Sequence, residues 1–163
     1  MALAVGAQAP DFSLSTIGAD GPALVKLSEL QDKNVVLLFF PMAFTGVCTE
    51  EFCSLTQGLD EYAKLNATVL GISGDNPFAQ SNWAEKEGIK VTLASDYEHT
   101  VAKAYDVAYD AFLPDHNLPM GGVPKRSAFI VDKAGMIQYS ESSDNPKQLP
   151  DFDAIKAKLA QLG

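Results

Sequence analysis

The chain has 163 residues, of which 47% are hydrophobic and 20% are charged, and its formal net charge is −9 at pH 7. This length suits one folded domain with a full-sized core, which we expect to span residues 1–163. Because so acidic a chain repels phosphate backbones and anionic lipid surfaces, its charge gives no support to nucleic-acid or membrane binding.

The first residues and the cysteine count bear on the cellular compartment. Residues 1–10 lack the basic start and the long apolar stretch of a secretory signal. The longest apolar run, residues 35–44, is interrupted by Pro41 and is too short to cross a bilayer. With only two cysteines in such a chain, we expect a reducing, cytoplasmic setting in which any disulfide is transient.

Strand and helix patterns alternate along the chain, and no repeat or linker divides it. Asn76 and Pro77 are typical of a helix N-cap and a first helical residue, and Gly88 is typical of a helix end. In chain order the predicted elements are strands at 11–15, 25–27 and 34–40, a helix at 46–65, a strand at 69–73, a helix at 77–87, a strand at 91–94, a short helix at 100–105, a long loop at 108–123, a hairpin of strands at 127–131 and 136–140, and a final helix at 151–162. Strands separated by helices and ending in a hairpin predict an α/β fold with a mixed central sheet, whose strand order the pattern does not reveal.

Cys48 lies at the start of the predicted helix 46–65, directly after a buried strand. There a thiol meets unpaired backbone N–H groups and the positive end of the helix dipole, which both favour the reactive thiolate. Thr45 is placed as the N-cap, with a hydroxyl that can accept a backbone N–H bond. Cys48 also heads a predicted apolar stripe, so an inert buried cysteine is the alternative interpretation. The stripe continues with Phe52, Leu55, Leu59 and Tyr62.

Cys53 falls on a different side of the same predicted helix, in a row with Thr49, Thr56 and Gln57. That row is polar, so we expect Cys53 to lie on a solvated face, where a free thiol is liable to oxidation. A redox partnership with Cys48 would explain why a cysteine occupies this solvated face. In an intact helix, however, the two Cα atoms lie roughly 8.7 Å apart, and a disulfide does not span more than about 7 Å. Any bridge between them therefore requires the first helical turns to unwind.

The motif formed by Pro41, Thr45 and Cys48 resembles the active-site signature of the peroxiredoxins. That family adds an acidic or amide residue three positions after the cysteine and a distant arginine, for which Glu51 and Arg126 are suitably placed. The resemblance extends from residues 9–12 through residues 39–41 to residues 126–132. It implies a thioredoxin-like fold with a mixed central sheet flanked by helices.

The resemblance also implies a chemistry and a role for each residue of the motif. Cys48 is expected to attack hydrogen peroxide or an organic hydroperoxide and to become a sulfenic acid, without a cofactor. Thr45, the backbone amides near Cys48 and the Arg126 guanidinium are expected to stabilise the reacting oxygens. Pro41 would shape and dry the pocket, and Glu51 would position Arg126. For Glu51 and Arg126 the alternatives are a solvated first-turn glutamate and a surface charge.

Cys53 is expected to be the resolving cysteine, whose attack on the sulfenic acid gives a Cys48–Cys53 disulfide that a thioredoxin-type or other thiol reductant reopens. Its spacing resembles the PrxQ-type, or bacterioferritin-comigratory, branch, whereas residues 39–48 look more like the AhpE-like branch. We expect a monomer or a homodimer. One alternative is a one-cysteine peroxidase that an external thiol resolves.

Two other classes of function stay open at this point. A redox-regulated holdase or binding module would expose Phe52 when the helix around Cys48 unwinds. A metal site would use both cysteines with His99 and His116, but their spacing differs from that of zinc sites.

Overall fold

The computed structural model describes all residues, 1–163, and its centre is one seven-stranded sheet. The strands are β1 (Ser13–Gly18), β2 (Gly21–Lys26), β3 (Asn34–Phe39), β4 (Ala67–Ser73), β5 (Thr92–Ser95), β6 (Ser127–Val131) and β7 (Ile137–Ser142). Their order in the sheet is β2-β1-β5-β4-β3-β6-β7. The pairs β3 with β4 and β4 with β5 are parallel, and all other pairs are antiparallel. The predicted mixed sheet is confirmed.

Helices cover both faces of this sheet. They are α1 (Gly46–Gln57), α2 (Leu59–Lys64), α3 (Pro77–Glu87), α4 (Thr100–Ala104) and α5 (Phe152–Leu162). The Asn76 side chain accepts a bond from the Ala79 amide, and Gly88 ends α3 in the left-handed region at φ 70°. Both end signals of α3 are therefore confirmed.

The prediction of one helix over residues 46–65 is wrong, because Gly58 separates α1 from α2. Its backbone has φ −99° and ψ 11°, which are not helical angles. Glycine loses more backbone entropy in a helix than other residues do, so a break there is inexpensive. Leu59 and Tyr62 consequently belong to α2 and do not continue the α1 stripe.

The core consists of two apolar clusters, one on each side of the sheet. In β3, Val36 and Leu38 face the cluster that also contains Phe52 and Trp83. Their neighbours in the same strand, represented by Leu37, face the other cluster, which the N-terminal segment and α4 cover. This alternation follows the two-residue period of a strand that is buried on both faces. The result is the layered thioredoxin-like α/β arrangement.

Residues 108–123, predicted as a long loop, contain ordered structure. The Tyr109 amide donates to the Val123 carbonyl at 2.8 Å and the Phe112 amide donates to the Met120 carbonyl at 2.9 Å. Tyr109, Phe112 and Val123 form a small buried cluster, against which Met42 packs. This excursion therefore contacts the segment that joins β3 to α1.

Candidate active site

The segment between β3 and α1 places Cys48 at the carboxyl end of the central strands. Pro41 is buried in this segment, and Thr45 is the N-cap residue of α1. Cys48 lies in the first turn and is only 1% exposed. Since the first amides of an α-helix have no partner within the helix, they and the helix dipole favour negative charge at this position.

Arg126 reaches Cys48 because of the register between β3 and β6. Phe39, the last residue of β3, pairs with Ser127 of the antiparallel β6. Arg126 precedes that pair and so lies beside the point where the chain leaves the sheet towards α1. Its Nη2 donates to the Cys48 sulfur at 3.1 Å. The structure therefore brings together the cysteine and the distant arginine that the sequence motif suggested.

Glu51 and a backbone carbonyl hold the rest of the Arg126 guanidinium. Nη1 donates to Glu51 Oε1 at 3.3 Å, and Nε donates to the Pro146 carbonyl at 3.0 Å. Glu51 and Arg126 are 1% and 2% exposed, so neither is the solvated charge of the alternative interpretation. Sequence reasoning missed Pro146, because a backbone carbonyl that acts as an acceptor leaves no signal in the side-chain pattern.

The carboxyl group of Glu51 has an unusual electrostatic environment. Burial raises the pKa of Glu51 from 4.5 to about 7, although the charge of Arg126 and its hydrogen bond act in the opposite direction. The second carboxyl oxygen, Oε2, has no hydrogen-bond partner. The raised pKa thus belongs to a carboxyl group that bonds the same arginine as Cys48.

Thr45 occupies the expected N-cap position, but its hydroxyl does not make the expected bond. No side chain caps α1, and Thr45 Oγ1 instead donates to the Met42 carbonyl at 2.7 Å. The proton of the hydroxyl is thus engaged within the loop. Its oxygen lone pairs remain available to accept a hydrogen bond.

Cys53 does not lie on the solvated face that the sequence predicted. It is half-buried against the apolar cluster of α1, and its Sγ lies 3.6 Å from the Glu87 carbonyl. Two other residues of its row, Thr49 and Thr56, also contact α3 or the segment that follows it. Thr49 Oγ1 accepts from Trp83 Nε1 at 3.1 Å, and Thr56 Oγ1 accepts from the Lys90 amide at 3.0 Å.

Both cysteines are free thiols in this structure. Because α1 is continuous from Gly46 to Gln57, five helical residues hold Cys48 and Cys53 apart by roughly 8.7 Å between Cα atoms. No group of three or more His, Cys, Asp or Glu side chains is arranged to hold a metal ion. None of the helices combines the length and apolar character of a membrane span.

Several proteins with known names are similar in sequence to this chain. The chain is 32% identical over 145 residues to the putative peroxiredoxin ycf42 of Porphyra purpurea, which covers 85% of this chain and 68% of that protein. It is 35% identical over 134 residues to the chloroplastic peroxiredoxin Q of Triticum aestivum, which covers 82% of this chain and 57% of that protein. The sequence profile of the AhpC/TSA family matches residues 5–140. The chain belongs to the AhpC/TSA family of peroxiredoxins.

Solved structures agree with this membership. The peroxiredoxin superposes on peroxidoxin BcpB of Mycobacterium tuberculosis with a TM-score of 0.82 and 28% identity, over 98% of this chain and 97% of the other. It superposes on the reduced 2-Cys peroxiredoxin of Plasmodium vivax with a TM-score of 0.81 and 29% identity, over 95% of this chain and 79% of the other. As a peroxiredoxin, the protein is a thiol-dependent peroxidase that reduces peroxides at the expense of thiols.

Proposed function

We propose that Cys48 is the peroxidatic cysteine of this enzyme and that Arg126 is its main electrostatic partner. The observation that carries the proposal is the 3.1 Å bond from Arg126 Nη2 to Cys48 Sγ at the N-terminus of α1. The thiolate attacks the terminal oxygen of hydrogen peroxide or an organic hydroperoxide. A sulfur–oxygen bond forms as the oxygen–oxygen bond breaks, and the leaving oxygen takes a proton to give water or an alcohol.

Negative charge develops on the oxygen atoms as their bond breaks, so fixed donors lower the barrier. Arg126 and the unpaired first amides of α1 are such donors. Thr45 donates its own hydroxyl proton to the Met42 carbonyl, so its oxygen is suited to accept a hydrogen bond from the O–H group of the hydroperoxide and thereby to orient the substrate. Pro41 is buried beside them and adds no N–H group that would compete for the thiolate.

Glu51 is a positioning residue in this proposal. It accepts a bond from the Arg126 nitrogen next to the one that contacts Cys48. Because a guanidinium is planar, fixing Nη1 at Glu51 and Nε at the Pro146 carbonyl also fixes the direction of Nη2.

Cys53 resolves the sulfenic acid. Its thiol attacks the Cys48 sulfur, a disulfide forms, and the sulfenic oxygen leaves as water. A thioredoxin-type dithiol then reduces the disulfide and is itself oxidised. Support comes from the position of both cysteines on α1, with Cys53 only half-buried, although the helix must unwind before the sulfur atoms meet.

The proposal extends to the organisation of the protein. One continuous sheet supports a single domain over residues 1–163. A transient disulfide fits a reducing compartment such as the cytoplasm, although relatives include chloroplastic proteins. We propose that the protein is a monomer or a homodimer. Phe44 and Phe78 are 51% and 66% exposed and provide apolar surface that a homodimer interface would bury.

Intact-mass measurement after one equivalent of hydrogen peroxide tests the assignment of the two cysteines. The reduced wild-type protein is expected to become lighter by about 2 Da, and Cys53→Ser heavier by about 16 Da. Cys48→Ser serves as the control and should not change promptly. A gain of about 16 Da in both wild type and Cys53→Ser would assign resolution to an external thiol. No prompt change in the wild type would refute the peroxidatic role of Cys48.

A further inference from the structure

We propose that Asp75 is a positioning residue of the peroxide site, because its carboxylate fixes the backbone of residues 41–45. The Ala43 amide donates to Asp75 Oδ2 at 2.8 Å. Asp75 lies in the segment between β4 and α3, so this bond links the neighbouring strand to the segment that contains Pro41 and Thr45. The inference rests on the proposed function and adds to it a residue outside the sequence motif.

Residues 41–45 depend on an outside contact for their conformation. The pairing between β3 and β4 continues as far as the Phe40 amide, which donates to the Ile72 carbonyl at 3.0 Å. Pro41 then has no N–H group to donate. Phe44 has φ 68°, a left-handed conformation that is unfavourable for a bulky residue that is not glycine. The bond from Ala43 to Asp75 restrains the backbone directly before that residue.

Asp75 is itself held by a buried polar network. Ser73 Oγ donates to the same Oδ2 atom at 2.7 Å, and Ser95 Oγ donates to the Asp75 carbonyl at 2.6 Å. Gln80 Nε2 donates to Ser73 Oγ and to the Ala94 carbonyl, each at 2.9 Å. Ser73, Gln80 and Ser95 are all buried. Ser73 therefore holds the carboxylate directly, while Ser95 holds the Asp75 backbone and Gln80 holds Ser73.

This network is separate from the one that holds the thiolate. Arg126, Glu51 and the Pro146 carbonyl form the contacts around Cys48, and none of them bonds to Asp75. Loss of Asp75 is therefore expected to disturb Thr45 and the approach of the hydroperoxide more than the thiol itself. The ratio between two reactions of Cys48 measures this difference, because a peroxide needs the positioned loop and a simple alkylating agent does not.

The experiment compares two second-order rate constants of Cys48 in a Cys53→Ser background, one for hydrogen peroxide and one for iodoacetamide. Asp75→Ala is expected to slow the peroxide reaction roughly tenfold or more, because small misplacements of reacting groups have effects of this size. Its alkylation rate should stay within about twofold of the parent. Asp75→Asn should retain most of the peroxide rate, since both bonds converge on one oxygen that an amide oxygen can replace.

Asp132→Ala is the matched control. Asp132 Oδ1 likewise accepts two hydrogen bonds, from the amides of Ala134 and Met136, but in the turn between β6 and β7. Its removal should leave the ratio of the two rates unchanged. If Asp75→Ala does not fold, Asp75→Glu tests the role instead, because it keeps the charge but displaces the carboxylate oxygen. This variant too should slow the reaction with hydrogen peroxide more than the reaction with iodoacetamide.

Three outcomes would overturn the role of Asp75. They are a parental peroxide rate in the folded Ala or Glu variant, an equal fall of both rates, and no rescue by Asn. Failure of the proposed function itself would look different, because the Cys53→Ser parent would then not react with hydrogen peroxide in the first place.

Discussion

Arg126 is the only arginine of the chain, and its guanidinium is shared by two groups that can carry negative charge. While Glu51 is protonated, the full positive charge of Arg126 faces Cys48. When Glu51 ionises, two anions share one cation in a site that excludes water, where charges interact more strongly than in bulk solvent. In the proposed mechanism, the protonation state of Glu51 therefore affects how much of the arginine charge is available to a Cys48 thiolate.

The raised pKa of Glu51 also has a consequence for stability, which we expect to measure in Cys48→Ser, a variant that removes the thiol from the contact with Arg126. Below about pH 4.5 the carboxyl is protonated in both the folded and the unfolded states. Between there and about pH 7 the unfolded chain releases the proton while the folded protein keeps it. The free energy of unfolding should therefore fall as pH rises through this window, by on the order of 3 kcal/mol from this group alone.

Urea unfolding of Cys48→Ser with and without Glu51→Gln, at several pH values from 4 to about 8, isolates this contribution. The glutamine variant keeps an oxygen that can accept from Arg126 but does not titrate, so its stability advantage should grow as pH rises. Glu50→Gln, on the exposed side of the same helical turn, is the control. A stability difference between Cys48→Ser and its Glu51→Gln derivative that does not vary with pH would contradict the prediction.

At the scale of secondary structure, α1 is fastened along its length by the row of Thr49, Cys53 and Thr56. Each of these side chains contacts α3 or the segment after it. The Thr49 contact involves Trp83, the only tryptophan of the chain, and lies one residue after Cys48. In the proposed mechanism, the unwinding that lets Cys53 approach Cys48 breaks some of these contacts, so they add to the free energy that resolution requires.

Thr56→Val is therefore expected to speed formation of the Cys48–Cys53 disulfide. Valine has nearly the same shape but can neither accept the bond from the Lys90 amide nor donate to the Phe52 carbonyl within α1. Loss of these bonds weakens the docked helix by about 1 kcal/mol, which corresponds to up to about a fivefold change in rate. Stopped-flow measurement of Trp83 fluorescence after a pulse of peroxide, with quenched samples analysed by mass, gives the rate. Thr92→Val, on an exposed position of β5, is the control. A rate equal to that of the wild type would show that this contact survives resolution.

These contacts also show where sequence reasoning succeeds and where it ends. The inner strands β3 and β6 were predicted to within a residue, because they are apolar runs buried on both faces. The hairpin of β1 and β2 was predicted only in part, since half of its residues are exposed and its burial does not alternate regularly.

In the site, the motif indicated Cys48, Arg126 and Glu51. Asp75 and the Pro146 carbonyl were missed, because their partners are backbone groups or side chains that come close only in the folded chain. The row of Thr49, Cys53 and Thr56 was predicted to face solvent, because its contacts with α3 also form only in the folded chain. A pattern of polar side chains does not show whether water or another helix faces them.

At the scale of the whole molecule, one position in the sheet sets how closely α1 can approach. Gly71, in the central strand β4, lies under the ring of Phe52, one helical turn after Cys48. A Cβ at Gly71 would lie 2.6 Å from Phe52 Cε1 and 2.8 Å from Leu93 Cδ2. Phe52 in turn packs on Phe40 with 4.7 Å between ring centroids. Because Gly71 has no side chain, Phe52 can pack against β4, which places α1 and the nearby Cys48 close to the sheet.

Gly71→Ala is accordingly expected to lower the free energy of unfolding by about 1–3 kcal/mol, the usual cost of overpacking. This loss outweighs the stabilisation that alanine provides by reducing the conformational entropy of the unfolded chain. Because a rigid aromatic ring must move, α1 should shift from β4, and the peroxide rate of Cys48 should fall as well. Urea unfolding and peroxide kinetics test the two effects together. Gly18→Ala at the end of β1, where a Cβ meets only an ordinary 3.7 Å contact, should change neither. Wild-type stability and rate in Gly71→Ala would mean that Phe52 moves without α1, so that the site is less dependent on the sheet than the packing indicates.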